Sequence, residues 1–156
     1  MPRPATPLPD GTLERLNEQR GGFNRLIGLH FTRVSYDEVV AEVDVQEALF
    51  QPYGLVHGGV YAAMIETLAS VGAAINAWPL GQNCVGLENT TSFVRAVREG
   101  RLVGRAVPVT RGRRTHVWAV TITSDDEDRV AARGSVRILC LESDAEVAGG
   151  AVAVEG

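Results

Sequence analysis

The chain has 156 residues, of which 45% are apolar and 22% are charged, and its formal net charge at pH 7 is -4. This length predicts one domain with a real core and excludes two ordinary domains joined by a linker. The acidic balance argues against a general nucleic-acid binder, and no segment approaches the roughly 18 uninterrupted apolar residues of a membrane helix. We therefore expect neither nucleic acid nor a membrane as a partner.

The two ends of the chain differ in composition from its middle. Residues 1–10 are rich in proline and lack the apolar core of a secretory signal, which predicts a flexible arm and a cytoplasmic location. Residues 142–156 are small and acidic, which predicts a disordered tail, and residues 11–141 are expected to form the single domain. Cys84 and Cys140 have no cysteine or histidine companion at ligand spacing, so we expect reduced core thiols, no metal and no cofactor.

The first half of the chain predicts a short helix, a β-hairpin and a long helix. The stretch DGTLERLNEQRGGF is typical of a short helix with Asp10 as its cap and Gly21-Gly22 as its stop. The stretches LIGLHFTRVS and EVVAEVDV have strand composition and predict a hairpin, and QEALFQPYG predicts a loop. From Gly58 to about Ala77 the chain is rich in good helix formers and almost uncharged, which predicts a buried helix.

Four strands are predicted after the long helix. They are CVGLENTTSFVRAV, RLVGRAVPVT, RTHVWAVTIT and RVAARGSVRILCL, separated by short breaks. In the third, His116, Trp118, Val120 and Ile122 alternate with residues of the opposite face. Strands joined by tight turns indicate an antiparallel sheet. One large sheet can bury an apolar helix only if the sheet curls around the helix. The predicted class is therefore α+β.

The basic residues are all arginine and are unevenly distributed. Ten of the fifteen lie between Arg95 and Arg137, a segment that holds five acids. A locally basic group of strands on an acidic protein suits a ligand that bears phosphates. Solvated arginines on outward strand faces would give the same pattern, so both interpretations stay open at this point.

One set of residues resembles a known family. Gln51, the HGG triplet at 57–59, Glu66 and Ser70 match the hotdog-fold acyl-CoA thioesterases, in particular the PaaI-like and Arthrobacter-type 4-hydroxybenzoyl-CoA branch. The resemblance continues through NTTSFVRAVREG and RGRRTHVWAVTIT to VAARGSVRI. It implies the hotdog fold, in which an antiparallel sheet wraps one long helix, and an enzyme that hydrolyses acyl-CoA to the free acid and CoA.

The spacing within the motif predicts a dimer. Nine residues of α-helix separate His57 from Glu66 by about 13 Å along the axis and by about half a turn around it, so the two cannot meet one substrate within one helix. A second, antiparallel copy of the helix would place Glu66 of one subunit beside the helix start of the other, and a two-fold dimer does this twice. We expect a homodimer with two identical sites, and a dimer of dimers.

General chemistry and the resemblance assign the same roles to the start of the helix. A thioester carbonyl placed there would meet the free backbone N–H of Gly58, and that of Gly59, which would act as an oxyanion hole. The resemblance further implies that the side-chain amide of Gln51 faces the carbonyl and that His57 helps to order the helix start. A histidine that merely caps the helix is an alternative for His57.

Glu66 is the expected acid or base of the reaction. It is either a nucleophile that forms an anhydride or a base that activates water, and the sequence does not choose between them. Ser70, four residues later on the same helix face, can bond the water or the carboxylate. A buried acid paired with an arginine is the alternative interpretation of Glu66, and it explains neither the HGG triplet nor Gln51.

The resemblance also implies where the substrate lies. It places the acyl-CoA along the strands that follow the helix, with the nucleotide phosphates at the surface. The implied channel residues are Val85, Ser92, Phe93, Val94 and Arg95, and the implied phosphate ligands are Arg111, Arg113 and Arg114. A solvated hairpin turn is an equal interpretation of these three arginines. The family's usual FLRP is FVRA here, so the strand geometry at Ala96 stays open.

Hydrolysis of an acyl-CoA is the leading functional hypothesis, with aromatic acyl groups favoured by the resemblance alone. One alternative is a hotdog enoyl-CoA hydratase, although that pattern often has proline near its histidine and VHGGVYAAMIE has none. The other is an acyl-CoA-binding protein without catalysis, and the retention of Glu66 argues against it.

Overall fold

The computed structural model describes residues 7–124 and 126–151, and for residues 126–128 and 151 it describes the backbone alone. The helices are α1 (Thr12–Glu18), α2 (Gly21–Leu26) and α3 (Gly58–Ala77). The strands are β1 (His30–Val34), β2 (Val39–Asp44), β3 (Phe50–Gln51), β4 (Leu55–Val56), β5 (Gln82–Phe93), β6 (Arg101–Arg111), β7 (Thr115–Ser124), β8 (Asp126–Glu142), β9 (Glu146–Val147) and β10 (Gly150–Ala151).

Six strands form one antiparallel sheet around α3. Their order is β1-β2-β6-β7-β8-β5, and α3 packs against five of them, β2 and β5 to β8. Met64, Ile65 and Leu68 of α3 are fully buried against strand residues such as Trp118 and Ile122, since apolar side chains of every second strand residue face the helix. The predicted hotdog architecture, one long helix wrapped by an antiparallel sheet, is confirmed.

The long helix is also apolar enough to be mistaken for a membrane segment. By length and hydropathy the stretch Gly58–Leu80 could cross a membrane, and half of its most apolar window is buried inside the protein. Its apolar character is explained by the sheet that surrounds it, because a helix with core on most sides needs few polar residues.

Strand β5 lies at an edge of the sheet and carries a bulge. It pairs with β8 on one side, and among the described residues no strand pairs with its other side. Gly86 lies opposite Ile138 and Glu88 lies opposite Arg137, so Leu87 is an extra residue in the ladder. A bulge of this kind changes which residues after it face the helix.

The N-terminal segment differs from its prediction. The predicted single helix is two helices, and Gly21 opens α2 with a φ of 71° instead of ending the first helix. Asp10 does not cap α1, because its N-cap is Gly11, also left-handed, with no side-chain hydrogen bond. Leu8, in the predicted flexible arm, packs against the core. Residues 1–6 of that arm lie outside the described residues.

Part of the segment predicted to be a tail has regular secondary structure. Strand β8 ends at Glu142, and β9 and β10 form a two-residue hairpin. Its turn residues, Ala148 and Gly149, both have positive φ, 54° and 79°, which suits a tight hairpin turn. The small residues that suggested disorder are therefore partly turn residues, and residues 152–156 lie outside the described part.

Cys84 and Cys140 face each other across β5 and β8. They are free, lie opposite one another in the ladder, and have Sγ atoms 3.8 Å apart, although their spacing in the sequence does not predict this contact. The hydrogen bond between the sulfurs raises the pKa of Cys84 and lowers the pKa of Cys140. The buried His116 lowers the pKa of Cys140 further. Among the residues with described side chains, no group of three metal-ligating types is assembled.

Candidate active site

His57 orders the start of α3. It is the N-cap residue, and its Nδ1 accepts a hydrogen bond of 2.8 Å from the backbone N–H of Gly59. The N–H of Gly59 is therefore already used, whereas the N–H of Gly58 has no acceptor within the described chain. Of the two amides predicted to form an oxyanion hole, only that of Gly58 is open to a ligand.

A short hairpin holds Gln51 next to the helix start. Gln51 of β3 lies opposite Leu55 of β4, two residues before His57, and the backbone N–H of Gly54 closes the turn onto Gln51 at 2.9 Å. The Arg98 guanidinium donates to the carbonyl oxygens of residues 53 and 54, at 3.0 Å each. Arg98 thus fixes the turn and, through it, the position of Gln51.

The Glu66 carboxylate lies between α3 and β5 with both oxygens hydrogen-bonded. Ser70 Oγ donates to Oε1 at 3.3 Å, which confirms the contact expected from their spacing. Asn89 Nδ2 donates to Oε2 at 2.9 Å. The surroundings of Glu66 are therefore polar on two sides, although most residues of α3 are apolar. A half-buried carboxylate with oriented oxygens can act as a nucleophile or as a base.

Two glycines allow close approaches in this region. A Cβ at Gly86 would lie 2.6 Å from Glu66 Oε1, so the carboxylate occupies the space that a side chain on β5 would need. A Cβ at Gly58 would lie 2.8 Å from the Phe93 ring, which therefore covers one side of the helix start. Phe93 also contacts Tyr61 with ring centroids 6.1 Å apart, and 63% of Phe93 is exposed.

The channel residues implied by the resemblance divide between the two faces of β5. Phe93 faces α3, whereas Val85 and Ser92 lie opposite Leu139 and the outward Arg133, on the other face of the strand. Val94 and Arg95 follow the end of β5 and are exposed. Only Phe93 of this set therefore lies against the helix start of its own chain.

The three arginines of the predicted phosphate site are in different surroundings. Arg111 donates to the carbonyl of Tyr36, to Asp37 and to Asn76, and its side chain is only 19% exposed. Its prediction as a phosphate ligand is not supported, because these contacts tie β6 to the end of α3. Arg113 and Arg114 lie exposed in the turn from β6 to β7, as a surface phosphate ligand requires.

Comparison with known proteins agrees with this geometry. The family model described as "Thioesterase superfamily" matches residues 53–131, which include the helix and the edge strand. Protein Rv1847 of Mycobacterium tuberculosis is 48% identical over 123 residues, 78% of this chain and 87% of the relative. The structure of that protein has a TM-score of 0.75 and 46% identity over 80% of this chain and 98% of its own.

The chain belongs to the thioesterase superfamily. Other relatives with thioesterase names support the assignment. The proofreading thioesterase EntH of Cronobacter turicensis is 35% identical over 119 residues, 76% of this chain and 86% of that protein. A mutant of the thioesterase PA1618 from Pseudomonas aeruginosa has a TM-score of 0.79 and 29% identity, covering 86% of this chain and 95% of that one. The predicted family and the prediction of a thioester hydrolase are confirmed.

The sequence interpretation missed three residues of this thioesterase site. Asn89 donates to the Glu66 carboxylate, Gly86 leaves the space that this carboxylate occupies, and Arg98 fixes the turn beside Gln51. Asn89 is part of the NTTSFVRAVREG stretch that carried the resemblance, so its position was visible but its contact was not. The contact depends on the pairing register of β5, which a single sequence does not reveal.

Proposed function

We propose that this thioesterase hydrolyses acyl-CoA thioesters in a cytoplasmic homodimer, with Glu66 of one subunit acting at the helix start of the other. The observation that carries the proposal is the half-buried Glu66 carboxylate held by Ser70 and Asn89 beside β5, whose outer edge pairs with no described strand. The open Gly58 amide lies eight residues earlier on the same helix, about 12 Å away, too far to serve the same carbonyl within one chain.

The edge strand supports the dimer. Two copies of β5 can pair along their free edges about a two-fold axis, which extends the sheet and runs the two α3 helices antiparallel. Asn89 donates to the carbonyl oxygen of Ala62, midway between Gly58 and Glu66, so an axis near Ala62 would bring each acid to the other subunit's helix start. Leu87 and Val94, both at least half exposed in the single chain, lie along this edge.

The same pairing supports a CoA substrate. The exposed Arg113 and Arg114 lie near the beginning of β5, since the carbonyl of Arg114 accepts from the N–H of Cys140, opposite Cys84. Arg95 lies just beyond the other end of the strand. Two antiparallel β5 strands bring the beginning of one beside the end of the other, so these cations would gather at one site and suit nucleotide phosphates.

The reaction then follows from charge and geometry. Glu66 either takes a proton from water that attacks the thioester carbon or attacks that carbon itself and forms an anhydride. In both routes the carbonyl oxygen becomes an oxyanion that accepts from the N–H of Gly58, with the amide of Gln51 beside it. The C–S bond breaks and the CoA thiolate takes up a proton, from protonated Glu66 in the base route and from solvent in the anhydride route. In the anhydride route water then hydrolyses the anhydride, which releases the free acid and restores Glu66. The exposed ring of Phe93 supports an aromatic acyl group, since rings stack favourably.

The test is release of free thiol from a panel of aromatic and aliphatic acyl-CoAs. Glu66→Gln keeps the volume of the side chain and removes its charge, and we expect kcat to fall about 100- to 10,000-fold. Glu88→Gln is the matched control, because Glu88 is an acid on the face of β5 that points away from α3, 3.5 Å from Arg137. Equal rates for Glu66→Gln and wild type would contradict the proposal, and stoichiometric binding without turnover would indicate a binding protein.

A further inference from the structure

The Asn89 side chain makes hydrogen bonds through both ends of its amide. Nδ2 donates to Glu66 Oε2 at 2.9 Å and to the backbone carbonyl oxygen of Ala62 at 3.1 Å. Oδ1 accepts from Thr91 Oγ1 at 2.8 Å. The orientation of the amide is fixed by chemistry, because a carbonyl oxygen and a carboxylate both require the donor end. Thr91 therefore holds Asn89, and Asn89 holds Glu66.

The bulge at Leu87 makes this contact possible. Gly86 lies opposite the inward-facing Ile138, and without the bulge the third residue after it, Asn89, would face outward. The extra residue restores the inward face, and Asn89 lies opposite the buried Val136. One strand thus presents Gly86 and Asn89 to the same carboxylate.

The carboxylate is consequently confined on three sides. Ser70 donates from the next turn of α3, Gly86 leaves only enough space for Oε1, and Asn89 donates to Oε2 from the edge strand. A group held in this way keeps its reacting oxygens aimed in one direction, and misplacement of a reacting group by about 1 Å can cost about 100-fold in rate.

We propose that Asn89 is a positioning residue that fixes the Glu66 carboxylate for attack across the dimer, with Thr91 as the residue that orients Asn89. This inference rests on the proposed function. It predicts that the effects of Asn89 and Glu66 on kcat are coupled. An asparagine that only ties β5 to α3 would instead contribute to the free energy of unfolding, independently of Glu66.

The test is a double-mutant cycle with acyl-CoA as substrate. Asn89→Leu keeps the approximate volume and removes both donors, and we expect kcat to fall about 10- to 100-fold with KM changed less than about threefold. In the Glu66→Gln background the same change should have no further effect on kcat. Thr91→Val should lower kcat by a smaller factor. Thr90→Val removes a hydroxyl from the outer face of the same strand and should leave kcat unchanged.

Thermal unfolding of every variant separates positioning from folding. If Asn89→Leu is too unstable to assay, Thr91→Val takes its place, because it leaves the Asn89 donors intact. The inference then depends on the kcat of Thr91→Val alone and in the Glu66→Gln background. A wild-type kcat in Asn89→Leu, an equal loss in both backgrounds, or a raised KM with unchanged kcat would overturn it. If Glu66→Gln itself retains wild-type kcat, the proposed function has failed, whereas an inactive Glu66→Gln beside a fully active Asn89→Leu overturns the positioning role alone.

Discussion

At the scale of single residues, His57 decides how many amides face a substrate. Its Nδ1 accepts from Gly59, so the capping interaction removes one donor and leaves the N–H of Gly58. The side chain is exposed, and the cap contact is its one hydrogen bond among the described residues. These contacts favour a structural role for His57 over a direct part in the chemistry.

Substitutions at His57 separate the two roles. His57→Ala removes the cap, and we expect the free energy of unfolding to fall by about 0.5 to 2 kcal/mol. His57→Asn keeps an acceptor that suits an N-cap, so it should restore stability and most of kcat. The measurements are chemical denaturation and thiol release for each variant. A His57→Asn enzyme that is as stable as wild type and inactive would show that the imidazole itself takes part in the reaction.

The contacts of Glu66 could be predicted only in part. Ser70 was predictable because a spacing of four residues places two side chains on one helix face. Asn89 was not, since its approach to Glu66 depends on the pairing of distant strands and on the extra residue Leu87. Gly86 was missed for the same reason, as nothing in its local sequence indicates a carboxylate 2.6 Å from the position of a Cβ.

At the scale of elements, the arginines of β6 and of the turn after it have different surroundings. Arg111, at the end of β6, joins that strand to Asn76 near the end of α3 and to Asp37 between β1 and β2. Arg113 and Arg114 are exposed in the turn. The family resemblance put all three in one predicted site, whereas Arg111 is held by hydrogen bonds and the other two are exposed.

Variants of these arginines should give opposite results. Arg111→Met removes the hydrogen bond to the buried Asn76 Oδ1, so we expect the free energy of unfolding to fall by about 1 to 3 kcal/mol with little change in KM. Arg113→Ala combined with Arg114→Ala should raise KM for acyl-CoA and leave stability unchanged. The control is an acyl-pantetheine thioester without the nucleotide phosphates, for which the double variant should match wild type. An equal rise in KM for both substrates would contradict a role in phosphate binding.

The regular elements were predictable where side-chain alternation is strong. In β7 the inward residues His116, Trp118 and Ile122 are buried as their period of two indicates. The N-terminal helix was misjudged, because Gly21 takes a positive φ at the start of a second helix, and Gly149 likewise precedes a short strand in the segment predicted to be a tail. Composition alone does not distinguish a glycine that ends an element from one that starts the next.

At the scale of the whole molecule, one chain contains every group of the proposed site but does not bring them together. Gly58 and Glu66 are fixed on one straight helix, so no side-chain rotation closes the distance of about 12 Å between them. In the proposed dimer, the edge of β5 that pairs with no described strand allows the antiparallel pairing that would bring these groups together. The active unit in this proposal is therefore the dimer.

Hybrid dimers test the shared site directly. Glu66→Gln lacks the acid, and Gly58→Val crowds the amide against Phe93, so each homodimer should be inactive. A heterodimer of the two, purified through two different tags, contains one site with both groups intact and should recover about half of the wild-type kcat per dimer. Sedimentation confirms the dimer, and a mixture of Glu66→Gln with a second acid-deficient variant, Glu66→Ala, is the control. A heterodimer as inactive as its parents would contradict a site shared between subunits.

The bulge at Leu87 has a consequence for the ancestry of this site. Substitution changes a side chain but not the face on which it lies, whereas gain or loss of one residue in β5 moves every later side chain to the other face. The hydrogen bond of Asn89 to Glu66 could therefore arise through the insertion or deletion of one residue in β5, without a series of side-chain substitutions. Homologues that use it should be recognisable by the length of the segment between Gly86 and Asn89 before any side chain is compared.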